Sequence, residues 1–240
     1  MKDNRKEIIP IGICDDLLDG GIKRGCVYVI GSRPGMGKSM VSTGIAWTLA
    51  DEGYRVTYIS AEGAGASLSS LGKFAIESPH GDNLTIIAYK GSQYPDVEPL
   101  LAGILTSGPV DAVIIDYLQL IGSASGLQVS ASIWWGRVMR ALRAVAKLRD
   151  IAIIVTSQIA REVDERPTHK PKIGDLRLGG FMPDATLFLY RPGYYIEDYT
   201  GNEMIVIVYA DGHKSGEASL NIDLDLYMEP YLKTLEEGKA

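Results

Sequence analysis

The sequence predicts an α/β fold in which a mostly parallel sheet carries helices on both faces and continues into an antiparallel C-terminal extension. Three observations lead there. Short, nearly unbroken Val/Ile-rich runs recur along the chain, as expected of strands buried on both faces. Stretches with helical spacing alternate with them, the order of a parallel sheet with crossover helices. The composition is ordinary for a globular chain, 46% hydrophobic and 22% charged over 240 residues, enough for one good-sized domain and too few for two.

Strands are expected at 27–31 (VYVIG), 56–60 (VTYIS), 112–116 (AVIID) and 151–156 (IAIIVT), with helices at 37–52, 66–77, 95–106 and 130–149. The last helix is the best patterned. Trp134, Val138, Ala141, Val145 and Leu148 recur at spacings of four and three, while Arg137, Arg140, Arg143 and Lys147 take other faces. Its adjacent Trp134 and Trp135 cannot point the same way, so one ring belongs to the core and the other to an interface or to partial burial under a loop. Residues 159–178 are polar, charged and proline-punctuated, and read as a long ordered loop. The runs 186–190 (TLFLY), 204–210 (MIVIVYA) and 218–222 (ASLNI) have glycine-bearing connections and read as a hairpin-bearing sheet edge. No repeat or low-complexity linker interrupts the chain, so residues 1–240 are expected to form one domain.

Charge and cysteine usage exclude several classes. The 24 Lys and Arg against 30 Asp and Glu give a formal charge of −6, which rules out coating nucleic acid with the whole surface. Contact with DNA would need a local basic lining. Cys14 and Cys26 are too few for a disulfide scaffold or a zinc site. No apolar run approaches ~18 residues, and MKDNRKEIIPIG lacks the apolar segment and cleavage site of a signal peptide. A cytoplasmic protein with no membrane span is expected.

The strongest local signal is GSRPGMGKS at 31–39, between the first strand and the first helix. A strict P-loop has a glycine, four residues, then Gly-Lys-Ser/Thr, and Ser32 occupies the first-glycine position here. The physical parts survive that departure. Gly35 and Gly37 let backbone N–H groups turn toward phosphate, Lys38 can reach the β and γ oxygens, and Ser39 can hold Mg²⁺. Ser32, Arg33, Pro34 and Met36 complete the cradle. Hydrolysis also needs a carboxylate near the metal, a group for the attacking water and a γ-phosphate sensor. Asp116 ends one strand, Glu62 follows another, and Gln158 follows a third, all where an open α/β sheet lines its ligand crevice. Singly, each is also what a helix cap, turn or solvated side chain looks like.

Together these segments resemble the RecA-like C-terminal ATPase domain of DnaB-type replicative DNA helicases, over about 11–222. LLDGGIKRGCVYVIGSRPGMGKS is similar to that family's approach to its P-loop, whose members also commonly lack the first glycine. IIDYLQLI (114–121) resembles the Walker B segment, and SQIAREVDERPTHKPKIGDLR (157–177) and DATLFLYRPGYY (184–195) are similar to the segments beyond it. The resemblance implies ATP and Mg²⁺ as cofactors, Lys38 and Ser39 as phosphate and metal ligands, Asp116 as the Walker B carboxylate, Glu62 as the water-activating glutamate and Gln158 as the γ-phosphate sensor. It places Arg177, Gly179 and Gly180 in a central-channel loop on single-stranded DNA. It further implies a homo-oligomer, a ring of six that translocates on the strand, with helicase loaders or other replication proteins as partners. A ring reconciles DNA with the acidic charge, because six copies of one basic loop can line a channel.

Three departures accompany the resemblance. Where the family has lysine–x–arginine reaching the neighbour's γ-phosphate, this chain has Asp211 and His213, with Lys214 a substitute after a one-residue shift. His213 and Lys214 are therefore the candidates for a trans-acting finger, and weakened hydrolysis is expected. Gly63 and Gly65 loosen the segment after Glu62, and the family's N-terminal primase-interacting domain is not expected within this sequence. A nucleotide-dependent assembly or loading factor, or a RecA-type recombinase, are the alternatives. His80 and His169 are expected in solvent, and Glu162, Asp164, Glu165 and Arg166 on a solvated face.

Overall fold

The computed structural model describes residues 8–61, 66–89, 96–122 and 130–221. Its first elements are β1 (Ile8–Ile9), β2 (Ile22–Lys23), β3 (Val27–Ser32), α1 (Lys38–Asp51), β4 (Val56–Ser60), α2 (Ala66–Glu77) and β5 (Leu84–Ala88). There follow α3 (Val97–Thr106), β6 (Ala112–Asp116), α4 (Ala131–Arg149), β7 (Ala152–Gln158), β8 (Ala185–Tyr190), β9 (Glu203–Ala210) and β10 (His213–Asn221). The main sheet has eight strands in the order β10-β9-β8-β3-β7-β6-β4-β5. From β8 to β5 every pairing is parallel, and β9 and β10 add antiparallel strands at one edge.

Side chains alternate along each strand, so the runs feed two cores. Tyr28, Ile30, Tyr58, Ile114 and Ile154 face α1 and α2, while Val27, Val29, Val113, Ile115 and Val155 face α3 and α4. Each large aliphatic residue removed from water in this way contributes roughly 1.5–3 kcal/mol. Helices thus cover both faces, as expected.

The structure differs from the sequence expectation in four places. β5 has no counterpart there; it is an edge strand whose Ile87 is 41% exposed, so its pattern lacks the unbroken burial of the central strands. β8 pairs parallel with β3, so the antiparallel extension begins one strand later. In α4, Trp134, Val138 and Val145 enter the core, but Leu148 is 76% exposed and Met139, Leu142 and Ala146 complete the stripe. Trp135 is half-buried against the same cluster. The strand expected to end at 156 runs on to Gln158. Residues 159–178 hold only 3₁₀ turns, at Arg161–Val163 and Ile173–Asp175, among the described elements.

A charged staple closes the amino end of the sheet. The Asp111 carboxylate accepts from Arg24 Nη2 at 2.9 Å, from Arg55 Nε at 3.2 Å and from the Arg55 backbone N–H at 2.8 Å. It joins the approaches to β3, β4 and β6. Burial alone would raise the Asp111 carboxyl, but the bonds from Arg55 and Arg24 prevail and hold it below the usual carboxylate range.

Candidate functional site

The phosphate loop is built by three local requirements. β3 ends at Ser32 in the middle of the sheet, α1 begins at Lys38, and the intervening backbone must reverse within five residues. Gly35 and Gly37 adopt φ of 77° and 95°, in the left-handed region that favours glycine. Met36, 1% exposed, anchors the loop in the core. A Cβ on Gly37 would meet only mobile side-chain ends, the nearest being Met204 Cε 2.9 Å away, so it is the left-handed φ, more than space, that calls for glycine there. Lys38 is folded back on the loop, with Nζ at 3.3–3.4 Å from Ser32 O, Ser32 Oγ and Arg33 O. Thr43 and Ser42 donate to the Ser39 carbonyl at 2.6 and 3.1 Å and fix the first turn of α1.

Asp116 stands two strands from β3 and is 3% exposed. Tyr58 Oη donates to its Oδ2 at 2.9 Å and Thr156 Oγ1 to its Oδ1 at 2.5 Å. Ser42 Oγ lies 3.0 Å from Tyr58 Oη, and by turning its one proton there instead of to the Ser39 carbonyl it would link α1 through β4 to the Asp116 carboxylate. Burial and the neighbouring Asp116 push the Tyr58 phenol well above its ordinary range, keeping it a neutral donor. Each carboxylate oxygen keeps acceptor capacity beyond its one bond. A lysine ammonium, a serine hydroxyl and a fixed carboxylate around a glycine-turned loop form a donor set that fits a magnesium-bound nucleotide.

Gln158 lies directly across from Ser32 in the β3–β7 register, which sets it beside the phosphate loop. Its backbone is gripped by Gln119, which sequence reasoning missed: Gln158 N–H donates to Gln119 Oε1 at 3.0 Å, and Gln119 Nε2 donates to Gln158 O at 3.2 Å and Ser157 Oγ at 2.9 Å. The amide thus pairs with the end of β7 much as another strand would. The only signal in the sequence was a polar residue inside IIDYLQLI. Glu62, Gly63 and Gly65 lie outside the described residues.

The 159–178 segment is tied down at several points, which corrects the expectation for Asp164, Arg166 and His169. Glu162 and Glu165 are exposed, as expected, but Asp164 and Arg166 are only half-exposed and engaged: Asp164 binds Arg33 of the phosphate loop at 2.8 Å, and Arg166 binds Asp175 with two bonds of 2.9 and 3.0 Å. Glu162 pairs with Arg177. His169 is half-buried, not in solvent, because its ring stacks on Tyr195 with centroids 4.2 Å apart and planes 3° from parallel. His80 is exposed as expected.

At the far end of this segment, Arg177 is exposed, and Gly179 and Gly180 take φ of 53° and 78°. The Gly179 N–H donates to Ser132 Oγ at 3.0 Å, so that N–H is engaged with α4 rather than presented outward. A Cβ on Gly136 would lie 2.4 Å from the Leu178 carbonyl oxygen, and one on Gly179 2.6 Å from that of Ser132. Glycine at both positions lets this turn dock on α4.

His213 and Lys214 open β10 after a two-residue turn of Asp211 and Gly212, with φ of 48° and 79°. Through β9 and β8 they are level with Tyr28 and Val29, near the start of β3, whereas the phosphate loop leaves its end. Three strand spacings amount to roughly 14 Å, beyond the reach of either side chain to its own chain's loop. Lys214 pairs with Glu217 at 2.5 Å, which also takes Lys170 at 2.8 Å.

Among the described residues no helix is long and apolar enough to cross a membrane, and no group of three or more His, Cys, Asp or Glu side chains could hold a metal ion. The family described as DnaB-like helicase C terminal domain matches residues 82–224. A probable plasmid replicative DNA helicase of Chlamydia psittaci is 28% identical over 223 residues, covering 81% of this chain and 48% of that protein. The replicative DNA helicase DnaB of Geobacillus stearothermophilus is 22% identical, covering 84% of this chain and 51% of its own length. The chain thus spans about half the length of these curated relatives. Among solved structures, one described as an ATPase domain superposes with a TM-score of 0.74 at 23% identity, covering 93% of this chain and 92% of that one. The RadB recombinase gives 0.62 at 14% identity, covering 88% and 93%. At these identities the two structures speak for a shared RecA-like fold.

Proposed function

Since the chain belongs to the family of DnaB-like helicase C-terminal domains, we propose that it is an ATP-hydrolysing motor that translocates on single-stranded DNA as a ring of identical subunits, hexameric by resemblance, with nucleotide between neighbours. The observation that carries this reading is the convergence of Lys38, Asp116 and Gln158 at the carboxyl ends of neighbouring strands and the head of α1, locked by the Thr156–Asp116 and Gln119–Gln158 bonds.

Lys38 leaves the carbonyls of its own loop for the β and γ oxygens of ATP, and backbone N–H groups of 35–39 cradle the rest. Mg²⁺ held by Ser39, and through water by Asp116, would neutralise the phosphate oxygens. Glu62 orients or deprotonates the attacking water. Gln158 touches the γ-phosphate, and its loss there is felt at the start of the 159–180 segment. Arg177 and the Gly179–Gly180 turn meet the DNA backbone, and Lys214 or His213 reaches the neighbouring subunit's nucleotide.

Steady-state ATP hydrolysis with and without oligothymidylate tests this reading. Wild-type protein should hydrolyse ATP faster with DNA, and Lys38→Ala and Asp116→Asn should each lose about 10²-fold or more. Wild-type protein that neither binds nucleotide nor responds to DNA would defeat the proposal. One observation favours an assembly or loading factor instead: the Lys214 ammonium is already paired with Glu217. Tight, nucleotide-dependent assembly with negligible turnover would select that second reading.

A further inference from the structure

The phosphate loop has a second connection to the 159–180 segment that bypasses the Gln158 side chain. Arg33 projects from the loop and is only 15% exposed. Its Nε and Nη2 both bind Asp164 Oδ2 at 2.8 Å, and its Nη1 donates to the Ile159 carbonyl at 3.3 Å. Asp164 is held from the other side by Tyr195, whose hydroxyl donates to Oδ1 at 2.7 Å. Tyr195 is stacked on His169, which the segment itself supplies.

Both ends of this bridge sit where movement is expected. Ser32 O accepts from the Ile159 N–H at 3.2 Å and lies 3.4 Å from Lys38 Nζ, so a lysine that leaves for phosphate releases a carbonyl that also anchors the segment. On the far side the segment behaves as one braced piece. Arg166 grips Asp175, the Asp175 carboxylate accepts from the Lys172 N–H at 2.7 Å, and Asp175 O accepts from the Ala160 N–H at 3.0 Å. Arg177 follows two residues later. A displacement of Arg33 therefore pulls on a stiff frame that ends at the proposed DNA contact.

We propose that Asp164 is a positioning residue which, through Arg33 and Tyr195, couples occupancy of the phosphate loop to the conformation of the 159–180 segment. The inference rests on the proposed ATP and DNA sites. It deepens that reading by assigning the coupling to a salt bridge. Asp164 touches neither ligand, so its loss should change how one ligand affects the other more than it changes either affinity alone.

The test is a linkage measurement that needs no turnover. Affinity for a fluorescein-labelled oligothymidylate is measured with and without an ATP analogue carrying a γ-thiophosphate. Wild-type protein should show a ratio of about fivefold or more, the usual scale of allosteric coupling. Asp164→Asn keeps an oxygen for Tyr195 but removes the charge, and should bring the ratio within about twofold of one. Asp164→Glu should restore most of it. Tyr195→Phe, which deletes one hydroxyl, should fall between and serves if Asp164→Asn does not fold. An unchanged ratio in Asp164→Asn overturns the inference and leaves the proposed function standing. Loss of coupling in both the Asn and Glu variants with a lowered melting temperature assigns Asp164 to folding and likewise overturns it. Wild-type protein that binds neither probe defeats the proposed function and the inference together.

Discussion

Arg177 shows why a residue matched to a DNA contact cannot be weighed by its charge alone. It is exposed, yet its guanidinium is paired with Glu162 fifteen positions earlier. A phosphate must compete with that carboxylate, while salt screens both contacts. Removing the competitor and removing the cation therefore have opposite signs. Glu162→Gln should tighten oligothymidylate binding by about two- to fivefold, the scale of an exposed ion pair. Arg177→Ala should weaken it and make the slope of log affinity against log salt shallower by about one contact. Fluorescence anisotropy across a salt series measures both, and equal effects from the two variants would remove Arg177 from the DNA contact. Gln158 differs in kind. It carries no charge, and what the fold controls is its backbone, through the Gln119 amide.

Elements bring such residues together, and α4 does so by close approach. Ser130 caps its start and Asp150, at φ 51°, ends it. Between them Gly136 admits the Leu178 carbonyl to within 2.4 Å of where a Cβ would stand. Alanine in a helix interior normally gains up to ~1 kcal/mol over glycine. At Gly103 in α3, where nothing lies within 4 Å of the added Cβ, Gly→Ala should raise stability by about that amount. At Gly136 the sign should reverse, with a loss of about 1–3 kcal/mol from the forced shift. Urea denaturation of the two variants decides it. The Asp111 staple acts at the other end of the sheet, and its pH dependence has a defined sign. Its folded-state pKa is depressed, so its contribution is complete above the unfolded value near ~3.9 and is lost as pH falls through the lower folded value. Asp111→Asn should cost on the order of 3 kcal/mol at neutral pH. That variant should then lose less further stability than wild type as pH drops into the low threes, read from urea midpoints. These elements also mark what the sequence could disclose. The strands of the centre, the four helices, the glycine-turned loop and Asp116 were legible because each follows from local periodicity or a local turn. β5 was not, being a half-exposed edge, and Leu148 was misplaced because a helical pattern does not say where the neighbouring turn releases its last residue. The grip of Gln119 on Gln158 spans 39 positions and that of Arg33 on Asp164 spans 131. No local pattern announces a hydrogen bond between residues so far apart.

At the scale of the molecule, the acidic total and the remote finger candidates raise the same question. A chain of charge −6 can hold DNA through a few cations gathered at one place, and repetition about an axis is the simplest way to gather them. The same repetition would resolve the position of His213 and Lys214. Within one chain they are three strands from β3 and level with its start, so any part they take in hydrolysis must be played in a neighbour's site. This has a consequence that a monomeric enzyme cannot imitate. Lys38→Ala disables a subunit's own site but leaves its Lys214 intact, and Lys214→Ala does the reverse. Each variant alone should hydrolyse ATP poorly. Mixed in equal amounts and allowed to exchange subunits, they should form about a quarter of interfaces with an intact Lys38 facing an intact Lys214, given random head-to-tail assembly. DNA-stimulated hydrolysis should therefore rise above either variant alone and should grow with total protein concentration as assembly proceeds. Activity of the mixture equal to the average of its parts at every concentration would place Lys214 outside the reaction. Full activity of Lys214→Ala by itself would do the same, and a parallel mixture with His213→Ala then tests the remaining candidate.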